Sequence, residues 1–125
     1  MSLIAWNCRG SGESLRSPKM LHLTRLISST SAQVIFISET RKSKTKRSTL
    51  INTFTLSDAF IVPADGLSGG LWLLWKDAYD LEVKQASPNY ILATGMYKPL
   101  SLPFFFRTRR RTAHHYIKKS KKKSR

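Results

Sequence analysis

Gln33-Val34-Ile35-Phe36-Ile37-Ser38-Glu39 decides how the rest of this 125-residue chain reads. Four consecutive apolar residues, three of them β-branched, form a run too short for a helix and without polar alternation. Such a run fits a strand buried on both faces. It stops at a carboxylate, Glu39. Upstream, Ser2-Leu3-Ile4-Ala5-Trp6-Asn7 is a second short apolar run that ends in the Gly/Ser-rich stretch CRGSGES, the pattern of a strand leading into a loop. Between the two runs, Ser17-Pro18 offers an N-cap followed by proline at the first helical position. Met20, Leu23 and Ile27, with Leu26 beside them, share one helical face. A helix over residues 18–29 is therefore expected, closing in the polar residues 28–31. Strand, helix and strand in this order predict a βαβ unit with parallel strands and a right-handed crossover. Asn7 and Glu39 then both lie at the carboxyl edge of the sheet, where open α/β sheets bind ligands.

Working towards the C-terminus, a basic stretch at residues 41–47 precedes a short helix expected near 49–54. Residues 60–63 resemble a strand. Gly69-Gly70-Leu71-Trp72-Leu73-Leu74-Trp75 reads as another buried strand, with Trp72 and Trp75 as packing residues. Residues 81–86 and 90–97 complete a run of antiparallel strands. Ser68-Gly69-Gly70 lacks the G-x-x-x-x-G-K pattern of a phosphate-cradling loop and precedes a strand, so it reads as a tight turn. After Tyr97 neither period is visible. Prolines at 99 and 103, three phenylalanines at 104–106 and a run of basic residues define a boundary near Lys98. The expected organisation is an α/β (α+β) unit over 1–97 and an unrelated, basic, disordered tail over 98–125.

Length allows at most one domain with a modest core. A single cysteine, Cys8, excludes an internal disulfide framework and a cysteine-based zinc cluster. No apolar run approaches the ~18–20 residues of a membrane span, and residues 1–9 do not read as a secretory signal. The expectation is an intracellular protein without a membrane partner, a nuclear location being one option. The net charge of +15 is unevenly distributed: residues 107–125 hold ten Lys/Arg and no acid, while residues 1–106 hold twelve against all seven acids. A segment that basic favours DNA or other nucleic acid through counterion release. A solvated tail without a selected partner reads the same composition equally well.

Four segments together resemble one family. Trp6-Asn7-Cys8-Arg9-Gly10 looks like the opening strand motif of the endonuclease/exonuclease/phosphatase superfamily. Phe36-Ile37-Ser38-Glu39-Thr40 resembles its second-strand motif, and Gly66-Leu67-Ser68-Gly69-Gly70-Leu71 its next conserved block. Thr94-Gly95-Met96-Tyr97 resembles the strand carrying its active-site tyrosine. The wording is most similar to endonuclease domains of LINE-type (non-LTR) retrotransposons, notably those of plants. The resemblance implies a four-layer αββα sandwich, here with an incomplete second sheet, and hydrolysis of DNA phosphodiesters with Mg²⁺ and no small-molecule cofactor. It implies Glu39 as metal ligand, Asn7 as a metal-site and phosphate-orienting amide, and Tyr97 as a hydroxyl reaching the phosphate. Arg41, Lys42, Lys44, Lys46 and Arg47 would touch the DNA backbone. The resemblance stops at Tyr97: the Gly-Asp-x-Asn block and the C-terminal Asp-His pair do not follow, so the expectation is a truncated, inactive nuclease.

Each assignment has a plainer alternative. Glu39 can be a solvated strand-end carboxylate, Asn7 a turn residue, Tyr97 a half-buried sheet aromatic and residues 41–47 a solvated charged loop. His22, His114 and His115 lack the Asp-His context and are not replacement bases. The alternative function is a non-catalytic basic protein that binds nucleic acid through its tail. Residues 1–97 alone would also leave an apolar sheet face and open strand edges uncovered, an obstacle to independent folding.

Overall fold

The computed structural model describes residues 3–8, 18–29, 33–66, 68–109 and 115–119. The predicted N-cap Ser17, the loop residues Arg9 and Gly10, Leu67, His114 and most of the basic C-terminal residues lie outside that set. The described residues form a mixed α/β structure with two four-stranded sheets and two α-helices.

The βαβ reading holds in its element order and parallel pairing. β1 (Leu3–Asn7) and β2 (Val34–Ser38) pair in parallel, Leu3 opposite Val34 and Asn7 opposite Ser38. α1 (Pro18–Ser29) connects them and buries Met20, Leu23 and Ile27 along one face. Its last turn is met by Lys76, whose Nζ donates to the Ile27 carbonyl at 3.2 Å. A cation beside otherwise unsatisfied terminal carbonyls is favourable there. α2 (Arg47–Phe54) buries Leu50 and Phe54, one turn apart, and stops at Thr55, which adopts a left-handed conformation (φ 55°). β3 (Asp58–Val62) and β4 (Leu71–Trp75) then add antiparallel strands, giving the order β1-β2-β4-β3.

Every residue of β2 and β4 is buried, because this first sheet is covered on both sides. Ile35, Ile37, Trp72 and Leu74 pack with Cys8 under the two helices. On the other face, Val34, Phe36, Leu71, Leu73 and Trp75 meet Tyr79, Ile91, Ala93 and Phe106 of the second sheet. Trp72 and Trp75 are thus packing residues, one on each face. The layers run helix, sheet, sheet.

The second sheet is an antiparallel meander of β5 (Tyr79–Ser87), β6 (Tyr90–Tyr97), β7 (Leu102–Arg109) and β8 (His115–Lys119). Here the structure departs from the reading of residues 98–125 as a tail. Lys98–Leu100 form a 3-10 turn, and β7 returns from it against β6 with Tyr97 opposite Leu102 and Tyr90 opposite Arg109. β8 pairs in turn with β7. The period of two is present in β7 but hidden. Phe106 and Thr108 are fully buried, whereas Arg107 is exposed and Phe105 partly so. Apolar residues on both faces conceal an alternation that is real in burial. Pro103, near the start of the strand, is where a missing N–H is best tolerated. By adding β7, the chain supplies Phe106 to the inter-sheet core that residues 1–97 leave open.

Candidate functional site at the carboxyl edge of the first sheet

Asn7 is the last residue of β1, and Ser38, opposite it, is the last of β2. The Cys8 N–H donates to the Ser38 carbonyl at 2.8 Å, so the pairing continues past the strand ends. Glu39 follows directly. From strand spacing and rise, the Asn7 and Glu39 backbones are ~6 Å apart. Asn7 is exposed and Glu39 partly so.

Glu39 has a left-handed backbone, φ 56°, and so does Arg41, φ 55°. That region costs an L-residue with a Cβ ~1–2 kcal/mol, so something must hold both in place. The neighbouring turn does. Thr40 N–H donates to the Gly70 carbonyl (3.2 Å), Arg41 N–H to Gly69 (2.7 Å), and Ala64 N–H to Lys42 (3.0 Å). Between the two left-handed residues, Thr40 is fully buried. Its Oγ1 accepts from the Lys42 N–H at 3.3 Å and lies where a side chain on Gly70 would have to be. Gly69 and Gly70 have φ of 79° and 94°, the freedom that lets their backbone close against Thr40. The turn read from Ser68-Gly69-Gly70 therefore has a second task besides entering β4: it clamps the residues after β2. Neither the facing threonine's burial nor its contact with Gly70 was signalled in the sequence.

The remaining assignments divide. Arg41, Lys44 and Lys46 are exposed and Lys42 half-buried, all on the segment leaving this edge. Arg47 opens α2 and pairs with Asp58 at 2.5 Å. Asp58 lies opposite Trp75, at the end of the sheet away from Glu39. Burial pushes the Asp58 carboxyl up, but hydrogen bonds from Arg47 and the Ala59 N–H, with the guanidinium charge, outweigh it and hold it below the usual range. The hydrogen bond and charge of Asp58 raise Arg47 in return.

Tyr97 is not brought to the Asn7–Glu39 edge. Lys98 N–H donates to the Ala78 carbonyl (2.9 Å) and Lys76 N–H to the Gln33 carbonyl (2.9 Å). These bonds tie Tyr97 to the start of β2, five residues or roughly 16 Å along the strand from Glu39. There its ring packs on Tyr79, centroids 5.1 Å apart. Burial, then the nearby Tyr97, push the Tyr79 hydroxyl above its ordinary value. His22 is exposed on α1, 5.7 Å from the Trp6 ring.

Among the described residues, no three His, Cys, Asp or Glu side chains gather as a metal-holding group. The edge offers one carboxylate and one amide oxygen. That donor set fits a hard divalent cation that keeps most of its water, not an all-protein cage. An open depression of about 530 Å³ lies elsewhere, on the outer face of the second sheet, lined by Asp80, Glu82, Met96 and Phe105 among others. Among the described residues, no helix is long and apolar enough to cross a membrane. No protein-family model matches the chain, and no curated protein matches it.

Proposed function

We propose that this chain is an N-terminal portion of a Mg²⁺-dependent DNA endonuclease of the endonuclease/exonuclease/phosphatase type, derived from a LINE-type retrotransposon, and that it carries half of the active site. The observation that carries this reading is the convergence of Asn7 and Glu39 on adjacent parallel strand ends, with a basic segment leaving the same edge. The layer order of helices, sheet and sheet supports it as three of the four layers of an αββα sandwich.

Bound at Glu39, Mg²⁺ would neutralise phosphate charge and activate water. Glu39 would supply the anionic oxygen to the cation. The Asn7 amide would donate to a phosphate oxygen without adding negative charge beside the metal. Arg41, Lys42, Lys44 and Lys46 would hold the DNA backbone, which gives affinity without sequence reading. Nothing in these 125 residues supplies the Asp-His base or the Gly-Asp-x-Asn block, so this chain by itself binds but does not cut.

The test is a Tb³⁺ titration of the purified chain, read by tryptophan-sensitised luminescence, with supercoiled plasmid and Mg²⁺ incubated in parallel. Binding that Mg²⁺ displaces and Glu39→Gln removes is expected, with the plasmid left supercoiled. Cation binding indifferent to Glu39→Gln would refute the metal site. Nicking lost in Glu39→Ala would refute the inactivity.

A further inference from the structure

Thr40 closes the segment that resembles the family's second-strand motif, where it carries no assigned role, and it is fully buried at this edge. We infer that Thr40 is a positioning residue: wedged into the notch of Gly70, it fixes the two left-handed residues on either side so that the Glu39 carboxylate and the Arg41 guanidinium are presented together at the strand end. This inference rests on the cation-site reading of Glu39.

Three observations meet here. Thr40 is fully buried while Glu39 is partly exposed and Arg41 exposed. The backbone is left-handed immediately before and after it. Its main chain and that of Arg41 are bonded to Gly70 and Gly69, and its hydroxyl fills the space that glycine leaves. Removing the hydroxyl and methyl would free Glu39 and Arg41 to relax to ordinary backbone angles, which separates an acidic and a basic group that a phosphate–cation pair needs side by side. A β-branched residue also suits the wedge, because its χ1 is stiff.

The experiment compares Thr40→Ala and Thr40→Ser with the wild-type chain by Tb³⁺ affinity, thermal unfolding and amide hydrogen exchange at Arg41. Thr40→Ala is expected to weaken Tb³⁺ about tenfold, the lower end for loss of a group supporting a metal ligand. Its Arg41 amide, bonded to Gly69 in the wild type, should exchange faster, and the unfolding midpoint should stay close to wild type. Thr40→Ser, which keeps the hydroxyl, should restore affinity to within about twofold on the same scale. A folded Thr40→Ala protein with wild-type Tb³⁺ affinity and wild-type Arg41 protection overturns the inference and leaves the cation reading standing. A wild-type chain that binds no Tb³⁺ overturns the cation reading, and with it the inference.

Discussion

The two sheets formed by the described residues have four strands each and treat their sequences differently. The first is enclosed: helices cover one face and the second sheet the other, and its central strands β2 and β4 are buried at every residue. Among the described residues, the second has one covered face. Along β5 the exposure alternates, with Tyr79 buried and Leu81 and Val83 half-buried between exposed Asp80, Glu82 and Lys84. A bulge between Val83 and Gln85 shifts its register against β6. Enclosure writes itself into the sequence as an unbroken apolar run; a single covered face is written as alternation. The lesson of β7 is that alternation fails as a signal when the open face also carries apolar residues, as at Phe105.

The comparison can be broken at its joint. Phe36 of β2 and Phe106 of β7 enter the same inter-sheet core from opposite sides. If the second sheet is as much part of the folded unit as the first, Phe36→Ala and Phe106→Ala should each cost ~3–5 kcal/mol, the usual range for a buried phenylalanine. Chemical denaturation followed by tryptophan fluorescence measures both. A cost below ~1 kcal/mol for Phe106→Ala alone would mean that β7 is not anchored to the first sheet.

A smaller effect is expected at the clamp that ends β2. Gly70→Ala adds a Cβ that overlaps Thr40 Oγ1 and approaches the Arg41 nitrogen to 3.2 Å, at a φ that side chains rarely adopt. A loss of ~1–3 kcal/mol follows from the strained backbone. Gly66→Ala, also at positive φ but with nothing within 4 Å of the added atom, should cost less in the same denaturation assay. Equal losses would show that the backbone angle alone, and not the contact with Thr40, sets the penalty.

The smallest effect belongs to the ion pair at the opposite end of β3. Asp58 is held below its ordinary pKa in the folded chain, so its contribution is fully present above the unfolded value, about 3.9, and is lost as pH falls through the lower folded value. Both partners are solvent-accessible, with Arg47 63% and Asp58 34% exposed at the side chain, and salt screens such pairs. Asp58→Asn should therefore shift the unfolding midpoint slightly at pH 6, with the difference from wild type shrinking below about pH 4. A difference that grows on acidification would contradict the depressed carboxyl.

Much of the first sheet was legible because its signals are local. β2, α1 and the GGLWLLW strand were read from runs of residues whose burial the fold bears out, and α1 and β6 occupy the residues expected of them. The adjacency of Asn7 and Glu39 followed from the parallel pairing alone. The position of Tyr97 did not, because it depends on the direction in which the meander sets off from β4, and nothing in residues 90–97 encodes that. Arg47 looked like its basic neighbours until its partner eleven residues away in β3 claimed it.

By itself, the sequence determined which segments must be hidden: an apolar run of five has no stable place except inside. It also determined that a carboxylate and an amide would close two parallel strands. Tertiary structure alone decided that residues 102–109 complete the core, since hydrophobic burial depends on the partner face and not on the strand's own pattern. It decided equally that Thr40 should press into Gly70, a contact between segments thirty residues apart that no local preference specifies.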